Sequence, residues 1–135
     1  MILADTSAWV EYLRATGSPV HRRMRQLVNA DAGVVTTDVV VMELLAGATK
    51  DEQRTELRRM LLRFEHLPID ALDDFETAAD LYRRCRRGGE TVRTLMDCLV
   101  AAVALRTGAA VLHQDRDFDA IARQSPLEIA SADER

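Results

Sequence analysis

"ILADTSAWVEYL", residues 2–13, carries two periodicities in one short segment. Ile2, Leu3 and Ala4 form an apolar run of strand character, and from Thr6 onward apolar and polar residues recur at helical spacing. Asp5 stands at the junction. A strand that hands over directly to a helix is the repeating unit of a parallel α/β fold. A carboxylate at that junction lies where such sheets bind their ligands, outside the carboxyl ends of the strands.

The same alternation continues outward from this segment. The spacing predicts helices over 6–14, 20–31, 39–46, 51–65, 73–87, 95–107 and 117–123. Strands are expected in "GVVTTD" (33–38), "HLPI" (66–69), "AAVLH" (109–113) and "LEIA" (127–130). "HLPI" reads as an edge strand, where proline is tolerated. Thr37 or Asp38 would cap the helix at 39–46, and Gly47, Gly88-Gly89 and Gly108 mark helix ends. The expected architecture is a three-layer α/β/α sandwich with a short, mostly parallel central sheet.

At 135 residues, with no linker, repeat or low-complexity segment, the chain reads as a single domain over 1–135. The apolar fraction of 47% and charged fraction of 30% fit a globular protein with a real core. No run approaches the ~18 apolar residues of a membrane span. The N-terminus lacks the basic and long apolar regions of a signal peptide. A cytoplasmic protein with no membrane partner is expected. Cys85 and Cys98 form neither a disulfide framework nor a zinc pattern, and both read as buried reduced thiols. His21, His66 and His113 are scattered, so a metal here would be held mostly by oxygen. The net charge of −4 argues against a protein that coats nucleic acid by charge alone.

Four acidic residues draw attention: Asp5, Glu43 in "VVVMELLAG", Asp97 in "TLMDCLVAAVAL" and Asp115 in "HQDRDFDAIA". Each has an ordinary explanation. Asp5 and Asp115 could cap the helices that follow them. Asp97 follows Thr94 at capping-box spacing, and Glu43 could face solvent. Taken together they suggest more. Two of them follow strands, and two lie on apolar helices that should pack against those strands. Converging carboxylates need a compensating cation, and oxygen ligands select a hard one, Mg²⁺ or Mn²⁺. Such sites usually act on phosphate esters, through one ion or a pair.

The residues "MILADTSAWVEYL" (1–13), "MELLAG" (42–47), "TVRTLMDCLVAAVAL" (91–105) and "VLHQDRDFDAIA" (111–122) resemble the PIN domain. More narrowly, they resemble the VapC toxins of bacterial toxin–antitoxin pairs. By position, Asp5, Glu43, Asp97 and Asp115 match the family's metal-binding and catalytic quartet. Asp117 matches the second acid of its "DxDF" segment, and the sequence leaves open which of Asp115 and Asp117 faces the metal. Thr6 and Ser7 match hydroxyl positions that can orient a carboxylate or a water. The resemblance implies an endoribonuclease dependent on Mg²⁺ or Mn²⁺, with one or two ions, that leaves a 5′-phosphate and a 3′-hydroxyl. Transfer or ribosomal RNA would be the substrate, with inhibition of translation as the result. It also implies a homodimer and a cognate VapB-type antitoxin.

Basic runs lie at "HRRMR" (21–25) and "YRRCRRGGETVR" (82–93). Their place just before the Asp97 helix makes Arg86, Arg87 and Arg93 candidates for RNA phosphate, although a solvated helix face would read the same way. Aromatic residues are too few for a base-stacking platform. Trp9 and Tyr12 read as core or dimer surface. A phospho-accepting receiver domain would need a lysine after a late strand, whereas Lys50 is the only lysine. A haloacid-dehalogenase-like phosphatase would need an acid at position 7, which is Ser7. A non-catalytic binding module of the same fold is the alternative from a different class.

Overall fold

Ile2–Ala4 forms the first strand (β1), and the chain turns at Asp5 straight into α1 (Thr6–Leu13). The computed structural model describes residues 1–133. After α1 come α2 (Pro19–Asn29), β2 (Val34–Thr37), α3 (Asp38–Ala46) and α4 (Asp51–Leu61). The chain continues through β3 (Glu65–Leu67), α5 (Ala71–Arg87), α6 (Leu95–Thr107), β4 (Ala110–Leu112) and α7 (Arg116–Arg123).

The strands form one sheet in the order β3-β2-β1-β4, with every pair parallel. Leu3 lies between Val35 and Val111. β2 and β3 extend to one side of β1 and β4 lies on the other, so the strand order reverses between β1 and β4. A crevice opens at such a reversal, beyond the carboxyl ends of the strands. Asp5 and His113, the residues that follow β1 and β4, sit at its mouth. Every residue of β2 is buried although alternate side chains face opposite ways, so helices cover both faces of the sheet.

Local chemistry sets the helix ends. Ser18 Oγ accepts the His21 amide at 3.0 Å with Pro19 in the first turn. Gly108 closes α6 at φ 76°, a left-handed cap that glycine adopts without strain. Helix α6 is buried without a break from Asp97 to Ala104, which makes it the central helix of its layer. Trp9 is fully buried and meets Tyr12 and Phe64 edge-on, with centroids 5.9 and 5.2 Å apart. At the far end of α6, Arg106 forks onto the buried Asp74 of α5, Nε to Oδ1 and Nη2 to Oδ2, both at 3.0 Å. Cys85 and Cys98 are buried free thiols. Among the described residues no helix is long and apolar enough to cross a membrane.

Four local expectations change. The helix expected over 51–65 ends at Leu61, because Phe64 turns inward onto Trp9 and Glu65 joins the sheet. The strand expected at 66–69 runs from Glu65 to Leu67, and the Ile69 amide instead donates to Asp38 Oδ2 at 2.8 Å. Neither Thr37 nor Asp38 caps α3 through its side chain. The Thr37 hydroxyl donates to the Leu67 carbonyl at 2.6 Å, and Asp38 pairs with His66. The last strand, 127–130, shrinks to one parallel bridge between Val111 and Ile129, held by Val111 N–H to Glu128 O and Ala130 N–H to Val111 O.

Candidate active site

Asp5 performs two tasks with its two oxygens. Oδ2 caps α1, accepting the Ser7 amide at 3.0 Å and the Ser7 hydroxyl at 2.7 Å. Oδ1 is buried and has no hydrogen-bond partner. Ser7 Oγ also accepts the Gln114 amide at 2.9 Å, and the Asp5 amide donates to the Leu112 carbonyl at 3.0 Å. The ends of β1 and β4 are thereby tied together around Asp5.

Asp97 sits in the first turn of α6 and is 7% exposed. Thr94 caps that helix alone, its Oγ1 accepting the Met96 amide at 3.0 Å. Asp97 returns no capping bond, and its buried Oδ2 has no partner. The capping-box explanation of Asp97 therefore does not hold, whereas Asp5 and Asp115 both cap. Asp115 Oδ1 accepts the Asp117 amide at 3.0 Å. Asp97, Asp115 and Asp117 each offer a carboxylate oxygen, and the three oxygens lie within 4.8 Å of one another, close enough to share an ion.

Glu43 is half-buried on α3, and the Thr6 hydroxyl donates to its Oε1 at 2.8 Å. It borders a cleft between α1, α3 and α4, shared with Val10, Arg14 and Gln53. Burial pushes the Asp97 carboxyl up to about 8, and the charges of Asp5, Asp115, Asp117 and Glu43 push in the same direction. Burial likewise raises Asp5, against the lowering effect of the Ser7 bonds and the Thr6 amide, with the Asp115 charge adding to the rise. Asp97 thus feels every acid singled out in the sequence.

The arginines divide. Arg93 binds the acids: its backbone N–H and Nε donate to Asp117 Oδ2 at 3.1 and 3.2 Å, and its Nη2 donates to Asp115 Oδ1 at 2.8 Å. Arg86 and Arg87 stand exposed at the end of α5, where they line a shallow recess with Arg83. The Arg86 guanidinium lies 5.8 Å from the centre of the Tyr82 ring. Sequence does not foretell the Arg93 pairings. One arginine grouped with two acids across a helix leaves no periodicity to reveal it.

A buried carboxylate pocket at the strand-order reversal of a small parallel sheet defines the class. The PIN domain family matches residues 2–124. Ribonuclease VapC11 of Mycobacterium tuberculosis is 48% identical over 132 residues, covering 97% of this chain and 98% of that protein. Ribonuclease VapC32 of the same organism is 30% identical over 130 residues, covering 96% and 97%. Among solved structures, VapBC2 from Rickettsia felis, bound to a DNA fragment from its promoter, superposes with a TM-score of 0.74 at 19% identity, covering 96% of this chain and 98% of that one. The chain belongs to the PIN-domain family, among its VapC ribonucleases.

Proposed function

We propose that this chain is a divalent-metal-dependent endoribonuclease, the toxin of a VapBC pair, and that Asp5, Glu43, Asp97 and Asp115 hold its Mg²⁺ or Mn²⁺. The supporting observation is the pair of buried oxygens without partners, Asp5 Oδ1 and Asp97 Oδ2, inside a crowd of like charges. Leaving such atoms bare is costly unless a cation completes them. The donors are all carboxylate oxygens, the set that hard cations prefer. The residues therefore fit the metal that the family implies.

An ion bound there supplies Lewis-acid stabilisation of phosphoryl oxygens and promotes ionisation of an attacking water. The chain supplies the positioning. Ser7 fixes Asp5 against the β4 loop, Thr6 fixes Glu43 through Oε1, and Asp97 keeps a buried oxygen free of any protein partner. The reaction is hydrolysis of an RNA phosphodiester to a 5′-phosphate and a 3′-hydroxyl. Arg86 and Arg87, exposed at the end of α5, are the proposed contacts to the RNA backbone, and scarce aromatics favour recognition by shape over stacking. Structured RNA that serves translation, transfer or ribosomal, is the proposed substrate.

The R. felis fold relative is a VapBC assembly, and a cognate VapB-type antitoxin together with homodimerisation completes the reading for this chain. A cytoplasmic location, with its RNA, belongs to the same proposal. The test compares wild type, Asp5→Asn and Asp97→Asn on total RNA, with Mg²⁺ or Mn²⁺ and with EDTA, reading 5′ ends by sequencing. Cleavage by wild type alone, and only with metal, is expected. Equal behaviour of all three proteins, or indifference to EDTA, would reject the enzyme.

A further inference from the structure

Arg93 lies between α5 and α6 and hydrogen-bonds two of the pocket's acids at once. Asp117, 2% exposed, gives one oxygen, Oδ2, to both the Arg93 amide and Nε. Asp115 gives Oδ1 to Arg93 Nη2 and to the Asp117 amide. One oxygen of each carboxylate is thus committed to the protein. A pair of divalent ions sits ~3.5–4 Å apart, so a second ion on this side would compete with Arg93 for the oxygens that Asp115 and Asp117 already give it. On this side of the pocket the carboxylates already face a cation. Among the described residues, the buried carboxylate oxygens without partners belong to Asp5 and Asp97 instead.

We infer that Arg93 is a positioning residue that stands in for a second divalent ion. It orders Asp115 and Asp117 around Asp97, each bringing a carboxylate oxygen within 4.8 Å of the others, and the pocket takes a single ion there rather than two. The inference rests on the metal-dependent reading above. A guanidinium suits the role because it stays charged and its planar fork engages two carboxylates at fixed spacing. A lysine would keep the charge but lose the fork. The Arg93 amide bond to Asp117 does not depend on the side chain, so substitution leaves that anchor in place.

The experiment is calorimetric titration of Mn²⁺ into the metal-free full chain, comparing wild type, R93K and R93Q at one pH. Wild type is expected to bind one Mn²⁺ per chain. R93Q, with one positive charge fewer, is expected to admit a second. R93K is expected to keep a stoichiometry of one with affinity weakened ~10-fold, as for loss of a group that orients ligands. Two ions in wild type, R93Q indistinguishable from wild type, or an unchanged affinity in R93K would overturn the assignment. Failure of wild type to bind Mn²⁺ would remove the metal-dependent reading and this inference with it. One bound Mn²⁺ in wild type and two in R93Q, without RNA cleavage, would uphold the role of Arg93 and reject only the nuclease chemistry.

Discussion

The Thr6 hydroxyl donates to Glu43 Oε1 at 2.8 Å, across 37 positions of sequence. One atom of the first turn of α1 thereby sets the direction of the acid on α3. Thr6→Val keeps the shape and removes the donor. Metal affinity and RNA cleavage should each fall ~10-fold. The melting temperature should fall by only a few degrees, since a part-exposed hydrogen bond of this kind contributes about 1–2 kcal/mol. Cleavage assays and Mn²⁺ titration on the same preparation check both halves.

The raised Asp97 carboxyl makes metal-free stability depend on pH. An aspartate titrates near 3.8 ordinarily and at about 8 here. Between those values the folded chain holds a proton that the unfolded chain has released, so stability falls as pH rises through that window. Below it the contribution is complete, and above about 8 it is gone. Asp5 shifts in the same direction. In EDTA, wild type should melt higher near pH 5 than near pH 9. Asp97→Asn should flatten the curve and melt above wild type at the alkaline end. Added Mn²⁺ should stabilise wild type most at that end, where ion and proton no longer compete.

The Arg106–Asp74 fork lies at the opposite end of α6 from Asp97 and offers a control. Asp74 is 2% exposed, and Arg106→Gln would leave its carboxylate with only the Asp70 amide of its present charged and polar contacts. Removing one partner of such a pair typically costs about 3 kcal/mol. Stability in urea should fall by that order, while cleavage per folded molecule should hold.

Arg86 and Arg87 test the RNA-facing role of the α5 end. Arg86→Gln with Arg87→Gln should raise KM and leave kcat close to wild type. The salt slope of RNA binding should also fall, by about 1 for each phosphate that is no longer neutralised. An unchanged KM would show these side chains to be ordinary solvated charges.

Much of the layout is open to reading from the chain itself, because it rests on local pattern. The change of period at Asp5 marks the strand-to-helix hinge, and the long apolar run after Met96 marks the central helix. Residues without local pattern are not open in this way. Phe64 leaves the expected helix only because Trp9, far away in the chain, offers it a buried face. Ile129 bridges Val111 alone, a long-range pairing that the local pattern of 127–130 does not limit to one rung. The two oxygens of Asp5 show why capping and site membership are not exclusive: one caps the helix, and the other is bare. Arg93 reads only as one of three candidates for RNA phosphate because sequence shows charge but not direction, and its pairing with Asp115 and Asp117 emerges on folding.

The ties from Asp5 to Leu112 and from Ser7 to Gln114 also concern the order in which the chain is made. During synthesis, Asp5 and Glu43 leave the ribosome long before Asp97 and Asp115. The first acid must wait for the last strand before its pocket closes. A nascent chain therefore carries no complete carboxylate pocket until synthesis is all but finished.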